Sequence, residues 1–237
     1  MLEGPRMLLR GRKTARRTDP SEIATLRSVI QPGDAVFDVG ANKGGYLACL
    51  ARAVGRQGLV VAFEPIPSLA ARLSTATHQL RWEHVEICAA AASDSDGKAM
   101  LATPEGTNHW ESSLEHNAAP GATTQEVATV RLDRYLGQLG NRPLSAIKID
   151  VEGHESAVIR GGREILKQHC PLLIVEVEAR HRPDRDPTVF FSEMAAIGYK
   201  GSFVNQCNER EDVARFDVER DQPAEGFVIN NFIFERA

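Results

Sequence analysis

Four cysteines, at positions 49, 88, 170 and 207, are the whole supply in 237 residues, and no C-x-x-C pair occurs. A zinc knuckle is thereby excluded, and a disulfide framework is disfavoured at this length. No run of ~18 apolar residues is present, so no transmembrane helix is expected. The first residues lack an apolar signal core followed by a small-residue cleavage site, which predicts a cytoplasmic protein. A basic excess is missing too: 28 Lys and Arg stand against 32 Asp and Glu, a net charge of -4, which argues against a general nucleic-acid binder. Two glycine signatures are absent, the GxGxxG of dinucleotide folds and the GK[ST] ending of a phosphate-binding loop. What remains is 42% hydrophobic and 25% charged, a composition that supports one sizeable core and rules out a largely disordered chain.

Residues 1–18 hold Arg6, Arg10, Arg12, Lys13, Arg16 and Arg17 against one acid, Glu3. This segment reads as a solvated, frayed basic arm. The alternatives are a flap or contact surface for an anionic substrate or partner, and a transit peptide. Order is expected from Asp19-Pro20-Ser21-Glu22, a helix start with a capping acid and Pro at the first helical position. Residues 19–237 then form one domain.

Apolar strands and amphipathic helices alternate from there. Strands are expected at Asp34–Val39, Leu59–Phe63 and Val85–Ala91, with helices between them marked by Leu47, Leu50, Ala51 and Val54 and by Leu69, Leu73, Ala76 and Leu80. The series implies a parallel sheet with helices on its faces. Residues 94–126 break the pattern. Rich in Ser, Thr, Asn, Gly and Pro, they read as a long inserted loop with a short strand near Lys98–Ala102, and another strand follows at Val127–Leu132. Alternation resumes with strand Ser145–Val151, helix 154–168, strand Leu172–Glu178, helix 187–197, strand Lys200–Val204 and a last strand at Phe227–Phe234.

Three segments point to a ligand at the carboxyl ends of the first strands, where open α/β sheets bind theirs. Asp38-Val39-Gly40-Ala41-Asn42-Lys43-Gly44-Gly45-Tyr46 ends a strand and opens a helix, and its glycines let a ligand approach the backbone. Asp38 suits a cationic group such as an amino-acid amine. Glu64, before Pro65, can accept two ribose hydroxyls. Ser93-Asp94, after the third strand, can take an adenine amino group, or else form an ordinary Asp-Gly turn. A nucleoside with a cationic amino-acid tail describes S-adenosylmethionine.

These strings, VFDVGANKGGY, FEP, AASDSDG, RLD, IKIDVEGHE with a following GG, and PLLIVEVE, resemble the FkbM-type family of S-adenosylmethionine-dependent methyltransferases. The resemblance covers about residues 34–204 and the terminal NFIFE. It implies a class I methyltransferase (Rossmann-like) α/β sandwich whose seven-stranded, mostly parallel sheet ends in an antiparallel strand. It also implies O-methylation, typically of a sugar or polyketide hydroxyl. Asp38, Gly40 and Asn42 carry over as cofactor-loop residues, with Gly44 and Tyr46 in the same loop. Glu64 carries over as the ribose acid, and the resemblance supports Asp94, beside Ser93, near adenine. The basic first 18 residues lie outside the family pattern.

Lys148-Ile149-Asp150-Val151-Glu152-Gly153-His154-Glu155 places charges at a central strand end, with 148, 150 and 152 on one face if the strand continues. Buried charges need partners. Lys148 neutralising Asp150 and Glu152 is one account, and catalysis is the other. A base that removes the acceptor's proton as the methyl moves would accelerate transfer ~10²–10⁴-fold. His154 and Asp150 are the two candidates for that base, with Glu152 and Glu176 beside them. Glu176 and Glu178, facing the same cleft with Asp150, could instead hold Mg²⁺ or Ca²⁺. No metal is expected, because Lys148 can balance the acids. Asn108-His109-Trp110-Glu111-Ser112-Ser113 is a candidate lid, and His181–Arg185 a candidate substrate contact. The expected partner is a small-molecule hydroxyl acceptor, with no nucleic acid and no membrane span; homodimerisation stays open. The rival classes are a nicotinamide dehydrogenase, disfavoured by the missing GxGxxG, and a non-catalytic S-adenosylmethionine-binding protein; a methyltransferase acting on a peptide or a lipid-linked glycan is the alternative for the acceptor.

Overall fold

A computed structural model describes residues 2–103, 112–115, 122–182 and 184–237. In chain order the elements are α1 (Glu3–Lys13), α2 (Pro20–Val29), β1 (Ala35–Val39), α3 (Gly45–Val54), β2 (Leu59–Phe63), α4 (Pro67–Gln79), β3 (Val85–Cys88), β4 (Ala91–Ala92), β5 (Gly97–Thr103) and β6 (Thr123–Val130). They continue with α5 (Leu136–Leu139), β7 (Leu144–Ile149), α6 (Glu155–Gly161), α7 (Arg163–His169), β8 (Leu172–Glu176), α8 (Pro187–Ala196), β9 (Tyr199–Val204), β10 (Arg210–Asp212), α9 (Val218–Asp221) and β11 (Asn231–Arg236).

The main sheet runs β10-β9-β11-β8-β7-β1-β2-β3. β3, β2, β1, β7 and β8 are parallel, and β11 inserts antiparallel between β8 and β9. Seven of these strands match the expected architecture. The eighth, β10, is a three-residue edge strand antiparallel to β9. Both faces are covered, which is why the parallel strands read as nearly continuous apolar runs. On one face α2, α3 and α4 pack through Leu47, Leu50, Val54 and Leu73. On the other, α6, α7 and α8 cover a core rich in aromatics, where Phe190, Phe191, Phe216, Phe232 and Phe234 make edge and tilted ring contacts.

The amino-terminal segment departs from the expected frayed arm. It is helical from Glu3, and α1 lies across α3 and α4. Its buried face is Glu3, Gly4, Met7 and Gly11. Only one of these is a large apolar residue, so hydrophobic periodicity could not reveal the helix. The glycines permit the contact: a Cβ on Gly11 would stand 2.6 Å from the Ala48 methyl.

The middle segment holds the two expected strands, as β5 and β6, but they do not join the main sheet. β4 leaves the line of β3 and joins β6 and β5 in a separate three-stranded sheet. That sheet packs Leu101 and Val127 against Ile66 and Leu69 at the start of α4. The helix expected over 154–168 is two helices, broken at Gly162. Gly161 is needed for contact, since a Cβ there would meet the Ser93 carbonyl oxygen at 1.8 Å. No described helix is long and apolar enough to cross a membrane.

Candidate active site

Strand register explains how the charges gather. Asp38 on β1 stands opposite Lys148 on β7, and Lys148 stands opposite Ile174 on β8. Side chains alternate between faces. Asp38 and Lys148 therefore point to the α2–α4 face, as do Glu64 just past β2 and Glu176 ending β8. All four sit at the carboxyl edge of the sheet. A cleft of about 630 Å³ opens there, lined by polar groups from Gly40, Asn42, Glu64, Asp150, Glu152 and His154 and by apolar groups from Ala91, Ala92, Leu101 and Leu114.

The loop after β1 is built on backbone contacts. Gly40 has φ +84°, and a Cβ would stand 1.8 Å from the Asp150 carbonyl oxygen. Gly40 thus serves first to let the β1 loop press on the turn after β7, rather than only to admit a ligand. Gly44 caps α3 beneath Met7 and Leu73, away from the cleft lining. Tyr46 lies outside that lining as well, with the Lys148 ammonium 5.0 Å from its ring centroid.

Glu64 is almost fully buried. Its Oε2 accepts from the Asn42 backbone N–H at 2.7 Å and its Oε1 from Ile66 N–H at 2.8 Å. Burial pushes its carboxyl up to about 7, against those two N–H donors. Each oxygen keeps a lone pair for a further donor. Asp38, 1% exposed, is pushed by burial to about 7 while Lys148 opposes the shift, and its Oδ2 has no hydrogen-bond partner among the described residues.

β7 ends at Ile149, two residues short of the expected Val151, so 150 and 152 do not continue its pleat. The chain turns instead, with Glu152 at φ +53° and Gly153 at φ +101°. The turn separates the charges that one strand face would have brought together. Lys148 donates to Asn231 Oδ1 at 2.8 Å and lies 4.0 Å from Glu176, not against Asp150 or Glu152. Glu152 pairs with His181 Nδ1 at 2.6 Å; burial raises the Glu152 carboxyl, and His181 partly offsets this. Asp150 lines the cleft, and its side chain makes no hydrogen bond or ion pair with any described residue.

His154 caps α6 and is engaged on both ring nitrogens. Nδ1 lies 2.6 Å from Glu115 Oε1 and Nε2 lies 2.9 Å from Ser93 Oγ. A carboxylate only accepts, so Nδ1 carries a proton, and in the neutral ring Nε2 accepts from Ser93. Ser93 therefore reaches the site through His154. Asp94 instead accepts from Arg160 Nε at 3.1 Å and Nη2 at 2.9 Å at the surface, outside the cleft lining. Glu176 and Glu178 both accept from Asn230 Nδ2, and among the described residues no three His, Cys, Asp or Glu side chains gather as a metal site.

Glu115 was not legible from sequence. It sits in a polar stretch without periodicity, and only the fold brings it to His154. It belongs to a short described segment anchored by Ser113, whose Oγ donates to the Glu152 carbonyl at 2.5 Å and whose backbone pairs with Ala102. Ser112 and Leu114 from this segment line the cleft, and Asn108–Glu111 lie outside the described residues. In the His181–Arg185 segment, His181 holds Glu152 and Arg182 pairs with Asp184 at 2.9 Å.

The site fits a cationic nucleoside ligand: Glu64 and the small apolar walls Ala91 and Ala92 line the cleft, and Asp38, next to the lining residue Val39 but itself buried outside the lining, keeps an oxygen with no partner among the described residues. Comparisons with known proteins agree. A wheat (Triticum aestivum) protein-L-isoaspartate O-methyltransferase is 32% identical over 113 residues, 47% of this chain and 46% of the relative, so the chain matches about half that relative's length. Among solved structures, Methyltransferase FkbM from Methylobacillus flagellatus KT aligns with a TM-score of 0.52 at 15% identity, covering 98% of this chain and 58% of the other. A Streptococcus mutans chain solved in complex with SAH, the demethylated cofactor, aligns with a TM-score of 0.54 at 11% identity, covering 94% and 99%. These likenesses carry the fold. The Methyltransferase FkbM domain family matches residues 38–207. The chain is a member of that family, whose fold and cofactor are those of S-adenosylmethionine-dependent methyltransferases.

Proposed function

We propose that the protein is an O-methyltransferase acting on a hydroxyl of a small acceptor such as a sugar or polyketide. The observation that carries this reading is Asp150, an ionisable side chain in the cleft that no described residue hydrogen-bonds. Bound S-adenosylmethionine supplies an electrophilic methyl group on a positively charged sulfur. Glu64 would hold the ribose hydroxyls with its remaining lone pairs, and Asp38 with the Gly40–Asn42 loop would hold the cationic amino-acid end. Ala91, Ala92 and Leu101 would wall the base.

Asp150 then accepts the acceptor's hydroxyl proton. A neutral hydroxyl is a weak nucleophile, but its proton becomes strongly acidic as the new C–O bond forms, so a carboxylate can serve as base. His154, held by Glu115 and Ser93, is a positioning residue: it fixes the segment carrying Leu114 over the cleft, which excludes water. Positioning supplies much of the remaining acceleration.

The acid-rich cleft also bears on the acceptor. A carboxylate acceptor, the class named for the wheat relative, would meet Glu64, Asp150 and Glu152. Like charges disfavour it, whereas a neutral hydroxyl meets no such repulsion.

The test supplies S-adenosylmethionine labelled with ¹³C at the methyl, together with a panel of sugars and polyketides, and reads the product by NMR. The reading expects an O-methyl product whose formation falls at least ~10²-fold in Asp150→Asn. Methyl transfer to nitrogen, or an Asp150→Asn variant as active as wild type, would overturn it.

A further inference from the structure

α1 buries Glu3, Gly4, Met7 and Gly11, and its opposite side is exposed. There, at helical spacing, lie Leu2, Arg6, Leu9, Arg12 and Lys13, Arg6 paired with Glu3 at 3.4 Å, and Arg16 is exposed in the π-helical turn that follows, Thr14–Thr18. Leu2 and Leu9 are 69% and 62% exposed, more than any other large hydrophobic among the described residues. Beside them runs a groove between α1, α2 and α3 whose charged lining is Arg12, Arg16, Arg27 and Arg52. No acid lines it. None of the four guanidinium groups makes a hydrogen bond or ion pair with a described residue.

Like charges gathered without partners repel, and the rest of the protein does not share their sign. The first 18 residues hold six bases against one acid, and the remaining 219 hold 22 bases against 31 acids. The positive face is therefore a local feature of an acidic protein, remote in character from the acid-lined cleft. A polyanion would relieve the repulsion. Exposed leucines among the cations select between polyanions. Basic residues interleaved with exposed apolar ones suit a lipid surface, with the cations at headgroup phosphates and the leucines in the acyl boundary. A single-stranded nucleic acid would call for aromatic residues to stack on, and residues 2–18 contain none.

We propose that this face docks the protein peripherally on an anionic lipid bilayer through headgroup phosphates, with Leu2 and Leu9 inserted. The docking is independent of the methyl-transfer reading, since no residue of the face lines the cleft.

The test is co-sedimentation of the full chain with vesicles of equimolar phosphatidylglycerol and phosphatidylcholine, and with vesicles of phosphatidylcholine alone. Binding at least about tenfold tighter to the anionic vesicles, and weakened by salt, is expected. Arg12→Glu with Arg16→Glu should remove at least about tenfold of that binding, and Leu9→Ser about threefold. Thermal unfolding and SAH affinity report that each variant is folded and that its cleft is intact. If the first pair unfolds the chain, Arg27→Glu with Arg52→Glu, on other helices, makes the same test. Equal binding to both vesicle types, or variants that bind like wild type, would overturn the proposal. So would a single-stranded oligonucleotide that binds as tightly as the anionic vesicles, with Leu9→Ser without effect on either.

Discussion

Replacing Asp38 by Asn should stabilise the free protein while impairing it. Asp38 is 1% exposed, its Oδ2 lacks a partner among the described residues, and burial pushes its pKa from 3.8 to about 7. The unfolded chain loses this proton near pH 4, whereas the folded chain keeps it to about pH 7. Between those values the folded state binds more protons, so the contribution is fully present at the acid end and is lost as pH rises through the window. At ~1.4 kcal/mol per pH unit, a group titrating near 7 weakens the fold by about 2.5 kcal/mol between pH 5 and 8. Asn keeps the shape and cannot ionise. Urea unfolding at pH 5 and pH 8 should therefore show the stability of Asp38→Asn, relative to wild type, rising by about 2–3 kcal/mol across that range. Calorimetry at pH 8 should show S-adenosylmethionine bound at least ~10-fold more weakly, a loss of ~1.4 kcal/mol or more. A difference between the two proteins that stays constant with pH would refute the argument that the fold holds this carboxylate against its own stability.

Gly40→Ala should cost several kcal/mol in the same unfolding assay, on the order of ~3 or more, because the new Cβ would stand 1.8 Å from the Asp150 carbonyl oxygen. His154→Ala should lower kcat ~10-fold or more while leaving S-adenosylmethionine affinity within about threefold, because it frees Glu115 and Ser93 without touching Glu64; an accompanying rise in solvent access to Leu114, read by hydrogen exchange, separates positioning from base chemistry. Turnover should survive EDTA treatment and dialysis; loss of activity restored by Mg²⁺ would return Asp150 and Glu176 to the role of ligands.

Much of the fold could be read from sequence because each parallel strand is buried on both faces and each covering helix has one apolar stripe. β1 and β2 fell within a residue of expectation for that reason. α1 was hidden because its docking rests on Gly4 and Gly11, whose contribution is the absence of a side chain. β10 was hidden because a three-residue edge strand has little hydrophobic pattern; β5 and β6 were expected as strands, and only their pairing with β4 in a separate sheet was not. The site divided along the same line. Asp38, Gly40, Asn42 and Glu64 come from regular strand ends, where one residue's position fixes its neighbours, and the register gathers them. Asp150, Glu152 and His154 lie before, in and after a positive-φ turn at 152–153, so their partners could not be deduced from alternation. Lys148 binds Asn231 from the far end of the chain, and His154 binds Glu115 from the insert. Those pairings depend on tertiary contacts that no local spacing encodes.

The cleft at the ends of β1 and β2 carries the whole functional account, and Glu64 is its least ambiguous member. Titration of S-adenosylmethionine into wild type and Glu64→Ala by calorimetry at pH 7.5 tests it most directly. The wild type should bind one equivalent with a micromolar dissociation constant, and the variant, folded by circular dichroism, should bind at least ~10-fold more weakly. No binding to folded wild type, or equal binding by the two proteins, would contradict the assignment of this cleft to the cofactor.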